Sequence, residues 1–228
     1  MSDEIPAEAA RLPHGYTNVT ERRTGAVRKA YLGPDVRERR DVELAALTGL
    51  AGRFPVPEVV SAGDDELTTA EVLGWHGQEA LDAGRAEDVL ALCGRLRREL
   101  SAVDPATVPG LPGRGEVIVH GDFGPQNLLV TPDVDRALAL LDWEWAHVGE
   151  AVEDLAWTEW IVRTHHPHLT GALPALYKGY GECPEWTDRQ RAMLDICHRC
   201  LEFCVRWEDP VAVELWHERI AATTAFQE

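Results

Sequence analysis

Three short oxygen-bearing side chains, Asp122, Asn127 and Asp142, stand where a polypeptide could bring them to one point. Asp122 and Asn127 lie in the run His120-Gly121-Asp122-Phe-Gly-Pro-Gln-Asn127, and Asp142 opens Asp142-Trp143-Glu144. Such a set suits phosphoryl transfer. Mg²⁺ prefers hard oxygen ligands and takes one or two carboxylates, with phosphates and water completing its shell. Asp142 supplies the charged ligand. Asn127 supplies a neutral one, because a further carboxylate would repel polyanionic phosphates. Asp122 suits a base that orients an incoming hydroxyl, and the protein's task is to position groups and balance charge.

The elements that must do the positioning are legible around these residues. Val117 to Val119 reads as a short buried strand and Leu128 to Thr131 as another. Pro132-Asp133-Val134-Asp135 is a turn by composition, and Ala137 to Leu141 is a return strand. Paired as a hairpin, the two later strands hold Asn127 and Asp142 side by side at the open end, and a slip of register keeps both at that end.

The run His120-Gly121-Asp122-x4-Asn127, then Asp142-Trp143-Glu144, then Glu153-Asp154-Leu155-Ala156 resembles the aminoglycoside phosphotransferase and choline kinase family, whose fold is that of the eukaryotic-like protein kinases. The resemblance implies an α+β, two-lobed fold with a small antiparallel-sheet N-lobe over residues 1–73 and a mainly helical C-lobe over 74–228. It implies that Asp122 is the catalytic-loop aspartate, that Asn127 and Asp142 bind the metal, and that Asp154 braces the loop through backbone N–H groups. His120 positions that loop by hydrogen bonding. Lys29, on a strand ending Ala26-Val-Arg-Lys-Ala-Tyr31, takes the place of the phosphate-anchoring lysine, and Glu43 on the next helix is its partner; Arg28 and Arg40 compete for the role. Gly15, Thr17 and Asn18 stand where a phosphate-covering loop belongs, although the multiple glycines of protein kinases are missing. The segment of Glu71 and Leu73 looks like a hinge that binds a purine through its backbone. The implied co-substrates are Mg²⁺ with ATP, or GTP in its place.

Elsewhere the pattern is helical. A helix capped by Asp35 carries Leu44, Leu47 and Leu50 on one face, and another over Ala86 to Val103 carries Val89, Leu90, Cys93, Leu96 and Leu100. Helices are also expected over Trp75 to Asp82, Val152 to Arg163, Leu169 to Tyr180, Thr187 to Trp207 and from Val211 onward. Leu194, Cys197, Leu201 and Cys204 read as a buried stripe, which treats the cysteines as small hydrophobes. Glu144, Trp157, Glu159 and Trp160 are candidate acceptor contacts through charge, stacking and cation–π attraction; the two tryptophans, three apart, equally suit a core.

Composition narrows the partners. With a net charge of −17 over 228 residues, neither nucleic acid nor an anionic membrane is an expected partner. A cationic small-molecule hydroxyl acceptor is favoured instead. No apolar stretch approaches ~18 residues, and the start Met-Ser-Asp-Glu carries no basic region before an apolar run, so the chain reads as cytoplasmic. Two other classes compete: a non-catalytic nucleotide-binding module, and a two-metal phosphoesterase built on His120, Asp122, Asp142, His147 and Asp154.

Overall fold

The computed structural model describes residues 18–228. Its N-terminal part is an antiparallel sheet of β1 (Asn18–Arg23), β2 (Ala26–Tyr31), β3 (Val59–Ala62) and β4 (Glu66–Ala70), in the order β1-β2-β4-β3. The alternation of β2 decides which basic residue turns inward. Lys29 shares the face of Tyr31, which is buried, whereas Arg28 takes the opposite face and pairs with Glu66 and Glu21. Helix α1 (Val36–Leu50) covers the sheet with the stripe Arg39, Val42, Glu43, Ala46, Leu47 and Leu50, all buried at helical spacing. Asp35 precedes α1 with φ 56° and does not cap it; its carboxylate instead accepts from Arg206 at 2.8 Å.

The chain then enters a mostly helical part. Trp75–His76, expected to be helical, forms the short strand β5, and the helix α2 begins only at Gly77 and ends at Asp82. Helix α3 (Ala86–Ser101) follows, with all five of its predicted core residues buried. Its Gly94 meets helix α5 (Leu173–Tyr180) so closely that a Cβ there would lie 2.0 Å from the Leu176 carbonyl oxygen. Strand β6 (Val117–Val119) pairs with β9 (His147–Gly149), while β5, β7 (Leu128–Val130) and β8 (Ala137–Leu140) form a three-stranded sheet with β7 central. The predicted hairpin is therefore present and is extended by the strand that leaves the N-terminal part.

Helix α4 (Ala151–His165) runs through the interior, and α6 (Trp186–Arg206) and α7 (Pro210–Thr224) pack as an antiparallel pair beside it. On α6 the buried stripe is Met193, Ile196, Cys197 and Phe203; Leu194, Leu201 and Cys204 are only half-buried, so the stripe expected there is offset. The far end of α6 reaches back to the sheet. Trp207 lies over Gly33, where a Cβ would come within 2.8 Å of the indole, and the Phe203 ring sits 5.2 Å from the Arg39 guanidinium. Among the described residues no helix is long and apolar enough to cross a membrane.

Candidate active site

The loop after β6 is pinned from below by a buried ion pair. Asp154, in the first turn of α4, accepts from the backbone N–H groups of His120 and Gly121, each at 3.0 Å. Arg97 of α3 donates to Asp154 at 2.7 Å and to the Ile118 carbonyl at 2.8 Å, and both charged side chains are fully buried. An isolated buried carboxylate would be costly; here one guanidinium and two amides compensate it. Gly121 has φ 84°, and a Cβ on it would approach the Trp145 carbonyl oxygen to 2.4 Å, so this loop position tolerates no side chain.

His120 joins the loop to the hairpin. Its Nδ1 accepts from the Asp122 N–H at 3.2 Å, which assigns the ring proton to Nε2, the donor to the Leu141 carbonyl at 2.9 Å. That carbonyl precedes Asp142. The imidazole thus fixes a spacing between two candidate chemical groups and is itself wholly buried.

Asn127 ends a turn of 3-10 helix, and its Nδ2 donates to the Asp122 carbonyl at 2.8 Å and to Asp122 Oδ2 at 2.9 Å. With Nδ2 committed, Oδ1 is the amide atom left as a ligand. Across the hairpin the Leu141 N–H donates to the Asn127 carbonyl at 2.8 Å, so the backbone ladder brings Asp142 beside Asn127. Asp142 has φ 66°, a sparsely populated conformation for a residue with a side chain, held in place by the fully buried Trp143 that follows it. The donor set of one carboxylate and one amide oxygen fits a hard cation such as Mg²⁺.

Lys29 completes the constellation. Its ammonium bonds to Asp142 and lies 2.6 Å from Glu43 and 3.8 Å from Glu144. Glu43 is also held by the Tyr31 hydroxyl at 2.6 Å and the Trp143 N–H at 3.3 Å. Burial opposes the charge on Lys29, but the three carboxylates around it raise its pKa above the ordinary lysine value. For Asp142, burial is outweighed by Lys29, which holds the carboxyl below its ordinary range. Asp122 is pushed the other way by burial and by the charge of Asp142, against the donors Trp157 and Asn127. Two nearby carboxyls with oppositely shifted affinities suit one base and one permanent anion.

The remaining expectations divide. Gly15 and Thr17 lie outside the described residues. Asn18 is buried, donates to Glu144 at 2.9 Å and accepts from the Leu32 N–H at 3.3 Å. The Glu71 N–H is bound to the Gly25 carbonyl at 3.0 Å and its carboxylate to Arg22, while Leu73 is 76% exposed. Three candidate acceptor contacts are buried. Glu144 is 2% exposed and gripped by Arg39 at 2.7 Å; Glu159 is fully buried among Arg189, Arg163 and Tyr177; Trp160 is 1% exposed and donates to Thr223 at 2.8 Å. Trp157 is buried as well, yet its indole N–H donates to Asp122 Oδ1 at 2.7 Å. Arg39 and Arg97, which hold Glu144 and Asp154, carried no signal in the sequence.

The two-metal alternative fails on geometry. Asp154 is consumed by Arg97 and the loop amides, His147 is paired with Glu153 at 3.0 Å, and among the described residues no three His, Cys, Asp or Glu could share a metal.

That His147–Glu153 pair predicts a pH dependence of stability. Burial would lower the His147 pKa, but Glu153 and the Trp145 carbonyl raise it above 6.5; burial would raise Glu153, but His147 lowers it from 4.5 to about 2. The imidazolium contribution is complete below pH 6.5 and is lost as pH rises through the folded value, whereas the carboxylate contribution is lost as pH falls from 4.5 to about 2. Urea midpoints of the parent and His147→Gln are therefore expected to differ most between pH 4.5 and 6.5 and to converge in alkali.

Comparison with known proteins bears on this geometry at two levels. A sequence model described as the phosphotransferase enzyme family matches residues 109–192, the stretch that holds the loop, the hairpin and α4. The viomycin phosphotransferase of Streptomyces vinaceus is 34% identical over 107 residues, 43% of this chain and 36% of that protein. The chain resembles the aminoglycoside phosphotransferase and choline kinase family. The matched stretch spans about a third of the curated phosphotransferase.

The phosphotransferase resemblance extends to the fold. The GDP complex of wild-type aminoglycoside 2'-phosphotransferase-IIIa superposes with a TM-score of 0.75 at 16% identity, covering 98% of this chain and 94% of that one. A choline/ethanolamine kinase family protein from Mesorhizobium loti gives a TM-score of 0.69 at 16% identity, covering 96% and 88%. The fold is protein-kinase-like, with an antiparallel sheet at the N-terminal side and helices beyond it.

Proposed function

We propose that the chain transfers the γ-phosphate of ATP or GTP to a hydroxyl of a small molecule. One observation supports this above the rest: the base candidate Asp122 is bonded to the ligand candidate Asn127, the hairpin ladder sets Asp142 beside Asn127, and Asp142 is in turn bonded by Lys29. On this reading the lobes are residues 1–73 and 74–228, with the purine at the connection near Glu71 and Leu73.

Asp122 receives the proton of the acceptor hydroxyl as its oxygen bonds to the γ-phosphorus. The bond from that phosphorus to the bridging oxygen breaks, and its electron pair leaves with the nucleoside diphosphate. Asn127 and Asp142 would hold Mg²⁺, which supplies neutralising charge to the phosphates when bound. Lys29, steadied by Glu43, contacts the same phosphates and is freed from Asp142 in the exchange. Asp154 and His120 keep the loop and hairpin in register.

The acceptor class we favour is a cationic, antibiotic-like polyol. The net charge of −17 favours it, as does the likeness to a viomycin phosphotransferase and to an enzyme solved with kanamycin. Acceptor-dependent ADP or GDP formation over a panel of aminoglycosides, peptide antibiotics, choline, ethanolamine and fructosamines tests the proposal. The expected result is turnover with at least one cationic member. Nucleotide binding without turnover over the panel would point to a non-catalytic module, and no Mg-nucleotide binding would overturn the reading.

A further inference from the structure

We infer that Trp157 is a positioning residue for the base, filling Oδ1 of Asp122 so that the acceptor hydroxyl is received at Oδ2. The inference rests on the phosphotransferase reading for the identity of the base. An ionised carboxylate offers about four lone-pair sites, two on each oxygen. Oδ1 accepts from the Trp157 indole at 2.7 Å and from Gln126 Nε2 at 3.2 Å, and Oδ2 accepts from Asn127 Nδ2 at 2.9 Å. The site that remains is on Oδ2, beside Asn127. A hydroxyl received there lies next to the residue that would hold the metal, on the side where the phosphate must be.

Helix α4 delivers this control at two points. Asp154 grips the backbone of residues 120 and 121, and Trp157, three residues later on the same helical face, grips the side chain of residue 122. The indole is itself immobilised. Its ring stacks on Trp160 at 4.4 Å and 5°, and Trp216 of α7 lies over both at 6.4 and 5.7 Å. Arg219 closes the pile 4.5 Å from Trp216. An indole N–H donates and never accepts, so it orients the base without competing for its proton.

Trp157→Phe removes the N–H and keeps an aromatic ring in the stack. Trp160→Phe is the control, because it removes an equally buried indole N–H from the same stack, one that reaches Thr223. Trp157→Phe is expected to lower kcat about 10- to 100-fold with the nucleotide KM within about twofold, and Trp160→Phe to stay within about threefold of the parent. Equal losses in the two variants would reduce Trp157 to a packing residue and overturn the inference. A second readout needs no turnover: in ¹H–¹⁵N spectra the indole resonance that disappears in Trp157→Phe is expected to move upfield in Asp122→Ala. An unmoved resonance overturns the inference whether or not phosphate is transferred. A moved resonance in a protein that binds nucleotide but phosphorylates nothing upholds the contact and sinks the phosphotransferase reading.

Discussion

Asp122→Asn is expected to lower kcat for phosphate transfer by about 10²- to 10⁴-fold, the range for loss of a positioned base, while the Kd for Mg-nucleotide stays near that of the parent. Both halves follow from the contacts. Of the nucleotide-side groups, Lys29 bonds both Glu43 and Asp142, and none of these three is hydrogen-bonded to Asp122, so they survive the change, while Asn127 keeps its bond to the Asp122 carbonyl. The substituted amide cannot take a proton, and it also brings a donor into a place surrounded by donors. Asp122 accepts from Trp157, Gln126 and Asn127; whichever way the new amide is turned, its NH₂ faces at least one N–H. The measurement is single-turnover transfer with the best acceptor from the panel, alongside equilibrium binding of the nucleotide. A variant that transfers at the parental rate would remove Asp122 from the chemistry.

Arg97→Met is expected to destabilise the protein by about 3–5 kcal/mol, the range for breaking a buried ion pair by removing one partner. Both partners are 0% exposed, and the guanidinium also satisfies the Ile118 carbonyl. Denaturant unfolding measures the loss as a lower midpoint with an unchanged slope. Removing both charges, as in Arg97→Met with Asp154→Leu, is not expected to restore stability. Replacing buried ion pairs by apolar groups can be neutral, but here the carboxylate also serves the N–H groups of His120 and Gly121. Those two amides would be left buried without an acceptor, at about 1–3 kcal/mol each. A double variant as stable as the parent would show that the loop amides find other partners.

The parts of the site that could be read from the chain are those whose order in sequence is their order in space. Asp122, Asn127 and Asp142 sit on one loop and one hairpin, and turn chemistry alone brings them together. Glu43 was placed by the resemblance, as the glutamate on the helix that follows the Lys29 strand, and Asp154 because it stands at a helix start within a recognisable run. Arg97 and Arg39 were not legible. Arginine is rarely buried, and their partners lie 57 and 105 residues away, so nothing local distinguishes them from surface residues. The burial of the candidate acceptor contacts was hidden for a related reason. Helix α4 is buried on every side, from Asp154 to Val162, so its pattern has no polar face by which to tell a residue that points at a cleft from one that points at the core. Asn18 was placed by the resemblance alone, and its hydrogen bond to Glu144, 126 residues away, had no local signal.

The end of α6 carries a lesson for engineering. Phe203 and Trp145 meet edge to face at 5.0 Å, Phe203 also faces Arg39, and Trp207 seals Gly33. Arg39 in turn grips Glu144, next to the ammonium of Lys29. The C-terminal helices of this molecule are therefore not an interchangeable cassette. A chimera that imports them from a cousin would also import new neighbours for Arg39, and on the phosphotransferase reading the setting of Lys29 would be retuned along with any choice of acceptor.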